Sequence, residues 1–175
     1  MRAFLPFLTC LMLVLTSFSG MAHAADLARR GAALTLMYRV TTRLAGQFRQ
    51  RDDLQHIRSA QQRFALAVAA GDEGAMIATN RDFHVAIAEA GRNPYYLALF
   101  SRLLDEGRRI LRMYYYPGFQ PENPHPYILE HEALIAAVEA QDIDLCDKLA
   151  RRHADEIVAR IQAMIARDMR QDIAL

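Results

Sequence analysis

Residues 130–157 read EHEALIAAVEAQDIDLCDKLARRHADEI, and this stretch decides the fold class. Apolar residues recur every three or four positions on either side of Asp142, which is the spacing of amphipathic helices. Aspartate is also a favoured residue for beginning a helix. The rest of the chain repeats this pattern, and no segment shows a hairpin turn signal or clean alternation of apolar and polar residues. We therefore predict an all-α protein, an antiparallel bundle of six amphipathic helices.

Helix-breaking residues define the expected helix boundaries. Gly71 and the pair Asn93-Pro94 separate helices, and the segment PGFQPENPHP at 117–126 predicts the one long loop. The predicted helices cover about 26–49, 53–70, 73–91, 94–116, 127–141 and 143–170. On the first helix, the spacing of larger apolar residues predicts a buried face formed by Ala33, Met37, Val40, Leu44 and Phe48.

The composition of the chain excludes several classes of function. The 175 residues suit one domain, and a hydrophobic share of 53% supplies a core. The chain has 21 basic and 20 acidic residues, and Arg2 is the only charged residue before Asp26, so residues 25–175 are neutral. A neutral chain is a poor candidate for direct nucleic-acid binding, which depends on neutralising phosphates. With only Cys10 and Cys146, a disulfide scaffold and a thiolate zinc site are excluded.

The first 24 residues, MRAFLPFLTCLMLVLTSFSGMAHA, have the layout of a secretory signal peptide. A basic start and an apolar run precede Ala22-His23-Ala24, a cleavage pattern that would leave a ligand-binding domain over 25–175. The apolar run is too short for a spanning helix, so we expect an exported, periplasmic protein with no transmembrane anchor after cleavage. Two alternatives are a buried or membrane-lying first helix and a misplaced start codon on a cytoplasmic protein.

Three histidines interrupt the apolar stripes of three different helices. His84 follows Asn80 by four residues on the inward face of the third helix, and His131 and His153 take similar positions on the fifth and sixth. Imidazoles buried together can satisfy their nitrogens by sharing a metal, with Glu130, Glu132 or Asp155 as second partners. The alternative is three separate core histidines with their own hydrogen bonds. His56 and His125 lie off these stripes.

The stretches NRDFHVAIAEAGRNP (80–94) and 130–157 resemble the effector-binding FadR C-terminal domain, or FCD, of GntR-family transcription regulators. The resemblance covers about residues 35–175 and implies a bundle of six or seven helices that holds a divalent metal. The implied ligands are Asn80, His84, His131 and His153, with Asn80 where the family often has an aspartate. A ligand set rich in imidazole favours Zn or Ni.

The resemblance also implies a small organic acid as effector, held by arginine. Arg39 matches an arginine that often begins the domain, although Thr42 and Arg43 replace the Leu-Glu that usually follows it. Arg108 and Arg112 flank the apolar stripe of the fourth helix and are further candidates. A homodimer is expected as well, and the aromatic run Tyr114-Tyr115-Tyr116 either caps its interface or covers an edge of the core.

Three functions follow from these observations. The first is an effector-binding sensor domain without the winged helix that precedes it in such regulators, and without enzymatic activity. The second is a fragment of a cytoplasmic DNA-binding regulator with a misassigned start. The third is a small metallohydrolase that uses a metal-bound water. Against it, no general base stands out beside the ligands, because Asp82 and Glu89 lie off the inward stripe.

Overall fold

The computed structural model describes residues 28–116 and 126–173, with side chains as far as Asp168. These residues form α-helices joined by short turns and contain no strand, which confirms the predicted all-α class. The helices are α1 (28–48), α2 (Arg51–Ala70), α3 (Glu73–Ala90), α4 (Pro94–Tyr114), α5 (Pro126–Ala140) and α6 (Ile143–Ile173). Turns of two or three residues between most neighbours force consecutive helices to run antiparallel.

Side-chain caps explain where the helices begin. The carboxylate of Asp72 accepts a hydrogen bond from the Ala75 amide at 2.9 Å, and Asp142 does the same for Leu145. Both aspartates thereby satisfy an amide that the first turn of a helix leaves without an internal partner. Gly71 ends α2 with a φ of 64°, a left-handed conformation that glycine adopts without strain.

The predicted loop at 117–126 differs from the structure at its last residue. Pro126 is the first residue of α5 rather than part of the loop. Proline fits there because the first helical turn needs no amide donor from it. Residues 117–125, including His125, lie outside the described residues.

The chain divides into two compact units, Met1–Ala33 and Leu34–Leu175. In the first unit the structure describes residues 28–33, which are helical; the signal-peptide-like segment 1–24 and its boundary with 25–175 lie outside the described residues. Within the described part of the chain, no helix has the length and apolar character needed to span a membrane. The part of α1 from Leu34 onward and all of α2–α6 belong to the second unit.

The buried face of α1 differs in part from the predicted one, although Met37 is buried as predicted. Phe48 is 47% exposed, whereas Tyr38, Thr41, Thr42 and Ala45 are each at most 2% exposed. The Thr41 hydroxyl donates to the Met37 carbonyl at 2.7 Å, so its polar group is satisfied within the helix. Small residues and threonines form this face because neighbouring helices pack very close to it.

Two glycines show how closely α1 is packed. A side-chain Cβ at Gly46 would lie 2.9 Å from the sulfur of Cys146 on α6. A Cβ at Gly91, just after α3, would lie 2.9 Å from the Cβ of Leu44. Distances this short exclude any larger residue without movement of the helices. Hydrophobicity alone could not indicate this face, since three of its most buried positions, Thr41, Thr42 and Ala45, are small.

Candidate metal centre

The inward faces of α3, α5 and α6 bring three histidines to one point in the core. His84, His131 and His153 are 2%, 0% and 4% exposed. One ring nitrogen from each lies within 4.8 Å of the others, and the Nε2 atoms of His84 and His153 are 3.3 Å apart. The convergence assumed for the three apolar stripes is therefore present in the fold.

His131 is fixed by hydrogen bonding and by stacking. Its Nδ1–H donates to the side-chain oxygen of Gln61 on α2 at 2.8 Å, which leaves the Nε2 lone pair facing inward. That Nε2 is buried and has no hydrogen-bond partner. The ring stacks on Phe83 with centroids 4.0 Å apart and contacts Phe64 at 4.8 Å. Its orientation is thus set before any ligand binds.

His153 is held by a carboxylate. Its Nδ1–H donates to Glu130 at 2.7 Å, which directs Nε2 toward His84. Burial is the largest single influence on the pKa of Glu130 and raises it, but the hydrogen bond from His153, together with the smaller effects of Glu156 and Arg152, holds that pKa below its usual range. Of the other acidic residues considered as second partners, Glu132 is exposed and Asp155 pairs with Arg151 at 3.5 Å.

Burial keeps two of the three imidazoles uncharged. Removal from water, together with the neighbouring imidazoles, lowers the pKa of His84 and His131 well below the usual histidine value. Both rings are therefore neutral near pH 7, and neutral imidazole is the form that ligates metals. The ring of Tyr38 packs edge-on against His84 at 4.7 Å and against His153 at 5.4 Å.

These residues fit a bound metal ion. The orphaned Nε2 of His131 is the kind of buried polar atom that proteins rarely leave unsatisfied. The 3.3 Å between two Nε2 atoms equals the separation of about 3.3 Å expected for two nitrogens on a tetrahedral zinc with bonds of about 2.0–2.1 Å. Asn80, 8% exposed, lies one helical turn before His84 on the same face of α3.

The three arginines considered for effector binding lie in other settings. Arg39 makes two hydrogen bonds, of 3.0 and 2.9 Å, to the carboxylate of Asp147 on α6. Arg108 is half exposed and lies 3.9 Å from Asp105 on its own helix. Arg112 is exposed on α4 and its guanidinium approaches Gly74 at the start of α3. The structure groups the histidines but not these arginines.

Sequence reasoning missed two residues of the centre. Gln61 lies between Ile57 and Phe64 at helical spacing, so a buried amide on the α2 stripe was a signal that could have identified it. The sequence carried a weaker signal for Tyr38, because the predicted buried face of α1 did not include it. Both are 2–3% exposed.

The aromatic run proposed as a dimer contact packs within the chain instead. Tyr115 and Tyr116 are 6% and 1% exposed. Tyr115 stacks on Tyr127 of α5 at 5.2 Å, and the guanidinium of Arg160 on α6 lies 5.2 Å from the Tyr115 ring. These tyrosines close the end of the bundle, so they do not support the dimer surface predicted from them.

The three buried histidines lie between facing helices of an all-α bundle, which is where such bundles can build a ligand or metal site. More specifically, the chain belongs to the FCD domain family, whose model matches residues 32–156. The fold and the centre on α3, α5 and α6 lie almost entirely within that match.

Solved structures share the fold. E. coli McbR/YncC is 19% identical with a TM-score of 0.71, over 79% of this chain and 65% of that one. A GntR-family transcriptional regulator from Pseudomonas syringae pv. tomato str. DC3000 is 20% identical with a TM-score of 0.65, over 81% of this chain and 58% of that one. The chain thus spans about three fifths of these regulators. No curated protein matches it.

Proposed function

We propose that the protein is a regulatory, non-enzymatic domain that binds a divalent metal ion and, next to it, a small organic acid. His84, His131 and His153 would be the metal ligands, with the amide oxygen of Asn80 as a fourth. The observation that carries the proposal is the buried Nε2 of His131, which lacks a hydrogen-bond partner while two further imidazoles converge beside it. Three separate core histidines would each have found their own partners.

The chain's own residues would prepare this site. Gln61 and Glu130 each accept the Nδ1 proton of a histidine and so present the Nε2 lone pairs of His131 and His153. Phe64 and Phe83 exclude water around His131. A bound metal would supply a positive centre with a coordination position for a carboxylate, and an all-imidazole nitrogen set favours Zn or Ni over Mg or Mn.

An arginine would complete recognition of the acid. Arg39 is the best supported of the three candidates, because it matches the arginine that often begins the domain in this family. Asp147 binds the Arg39 guanidinium in a two-pronged contact, the geometry in which arginine also binds a free carboxylate. An effector would compete with Asp147 for this group. Substituting Arg39 by Gln should weaken the thermal shift caused by organic acids without removing the metal.

A hydrolytic function has less support. Of the acidic residues that flank His84, Asp82 lies 4.0 Å from Arg63 and Glu89 lies 3.6 Å from His56. Glu130 is engaged by His153. These pairings leave none of the three as an evident general base for an attacking water.

Metal analysis of the purified protein tests the proposal. We expect about one equivalent of metal in the parent and none in the variants His84→Ala, His131→Ala and His153→Ala. His56→Ala is the matched control, because His56 lies on the exposed surface of α2, and it should retain the metal. A parent that binds no Zn or Ni in equilibrium dialysis, with three variants that behave like the control, would refute the metal site.

Export is a separate proposal that rests on the sequence of residues 1–24. Protein recovered from the cell envelope should begin at Ala25 when its N-terminus is sequenced. An intact Met1 in the cytoplasmic fraction would instead favour the misplaced start. A winged-helix reading frame upstream of Met1 that continues into the chain would favour the fragment of a cytoplasmic regulator.

A further inference from the structure

The ligand set of the centre carries no negative charge. The ligand atoms that lie within 4.8 Å of one another belong to three histidines, and within the described part of the chain no carboxylate or thiolate joins them. Burial and the neighbouring imidazoles lower the pKa of His84 and His131, so both rings are neutral. Asn80, the fourth proposed ligand, is 8% exposed and offers an amide oxygen, which is also neutral. A divalent ion held by these residues would keep its full charge.

One carboxylate is connected to the centre, and it can balance only one of the two positive charges. Glu130 accepts the outer Nδ1–H of His153 at 2.7 Å, so an imidazole ring separates it from the inward Nε2 of that histidine. The Glu130 side chain is 19% exposed, and the positive charge of Arg152 also acts on it. Water and this arginine therefore weaken the field that Glu130 exerts in the core.

The surroundings of the histidines make an unbalanced charge costly. Four aromatic side chains, each at most 2% exposed, contact the histidine rings: Tyr38, Phe64, Phe83 and Phe100. Burial raises the pKa of Tyr38, so its hydroxyl stays uncharged and cannot supply the missing anion. A charge buried among apolar rings is strongly unfavourable unless an opposite charge is paired with it.

An anion bound beside the metal ion would remove this cost. We propose that the centre couples two ligands: a carboxylate raises the affinity of the protein for the metal ion, and the metal ion raises the affinity for the carboxylate. Linkage requires the two factors to be equal. The inference rests on the metal site proposed above and adds its regulation, since such a domain responds to metal and acid together more strongly than to either alone.

Zinc binding in acetate and in acetamide tests the coupling. The two probes have nearly the same size, but only acetate is negatively charged near pH 7. In chloride-free buffer, with free Zn set by a competing chelator, saturating acetate should lower the Kd for Zn at least about tenfold. The same concentration of acetamide should leave that Kd unchanged. In the reverse direction, loading the protein with Zn should lower the Kd for acetate by the same factor.

The same substitution at two positions tests the cause of the coupling. Asn80→Asp supplies the missing negative charge, so Zn should bind more tightly without acetate. The acetate effect should then fall below about fivefold, the lower end of typical coupling.

Asn93→Asp is the matched control. It adds the same charge at the start of α4, where Asn93 caps the helix and aspartate serves as a cap equally well. This variant should retain both the Zn affinity and the acetate effect of the parent.

The possible results separate the coupling from the metal site. A parent that binds Zn with the same Kd in acetate and in acetamide overturns the coupling, while the metal site stands. An acetate effect that is equally large in the parent and in Asn80→Asp overturns its assignment to the neutral ligand set. A parent that binds no Zn under either condition overturns the metal site and the coupling with it. An acetate effect that disappears in Asn80→Asp and persists in Asn93→Asp supports the proposal.

Discussion

Neighbouring helices α3 and α4 depart from the usual distribution of residues in opposite directions. On α3 the inward face buries Asn80 and His84, two polar residues, among Met76, Phe83 and Ile87. On α4 the outward face exposes Leu99 and Met113, while only Phe100 and Leu104 are fully buried. One helix therefore carries polar groups into the core, and the other carries apolar groups out of it.

The two helices differ in what they leave unfavourable: an unpartnered buried polar atom in the core near α3, and exposed apolar side chains on α4. A buried polar group without a partner costs about 1–3 kcal/mol, and the Nε2 of His131 in the centre beside α3 is such a group. Exposed apolar residues such as Leu99 and Met113 cost little in the folded chain by comparison. Buried polar groups and exposed apolar patches are the informative exceptions to the general rule.

The largest expected effect comes from truncating the buried face of α3. Phe83 is 0% exposed and stacks on His131, so Phe83→Ala should lower the free energy of unfolding by about 3–5 kcal/mol through lost burial and a new cavity. Urea denaturation measures this. Leu99→Ala on α4 should change it by less than about 0.5 kcal/mol, because Leu99 is 54% exposed. If both variants lost the same free energy of unfolding, the inward face of α3 and the outward face of α4 would not differ as described.

The second prediction concerns pH in chelator-treated protein. Burial holds the pKa of His84 and His131 below the unfolded value of about 6.5, so the unfolded chain takes up protons first as pH falls. Stability from these two groups is present above about pH 6.5 and is lost below it, by up to about 1.4 kcal/mol per pH unit for each histidine.

Denaturation in urea at several pH values between about 7.5 and 5.5 checks the sign and the slope. The variant His84→Gln removes one of the two titrating groups, so its slope should be smaller by about one proton. An unchanged stability of the parent across this range would mean that the histidines protonate as easily in the folded chain as in the unfolded one.

Most of the fold followed from local patterns. Asp72, Asn93 and Asp142 cap helices as their residue types predict, because capping depends only on residues two or three positions away. The inward stripe of α3 was also correct, since large apolar residues define it. The predicted face of α1 was correct at Met37, but it missed Thr41, Thr42 and Ala45, because these residues are small and only the approach of neighbouring helices selects them.

The centre could also be predicted in part, because its three histidines belong to local helical patterns. His84, His131 and His153 interrupt apolar stripes, and interruption is visible in the sequence. Their partners are not equally visible: Gln61 joins His131 across 70 residues, and only the packing of α2 against α5 reveals the contact. The pairing of Arg39 with Asp147 spans 108 residues and likewise depends on tertiary packing.

The third prediction tests whether Gln61 prepares the site. Gln61→Leu removes the acceptor that fixes His131, and loss of such a partner typically weakens metal binding by about 10–100-fold. Competition against a chelator of known affinity measures the change. Gln62→Leu is the matched control, one residue along α2 but exposed, and its metal Kd should equal that of the parent. A Gln61→Leu Kd equal to that of the parent would remove Gln61 from the centre.

The smallest expected effect is that of Asn80→Asp. The sign of its effect on the melting temperature should depend on whether metal is bound. Asn80→Asp adds a negative oxygen one turn before His84, so a metal ion held there should bind more tightly, by about tenfold or less. Without metal, the same substitution places a carboxylate where the side chain is only 8% exposed, and the protein should melt at a lower temperature than the parent. Melting curves with Zn and with chelator therefore should change in opposite directions for this variant. Asn80→Ala should weaken metal binding and lack this reversal. If Asn80→Asp destabilises the protein equally in both conditions, Asn80 faces away from the ion, and three imidazoles alone form the site on α3, α5 and α6.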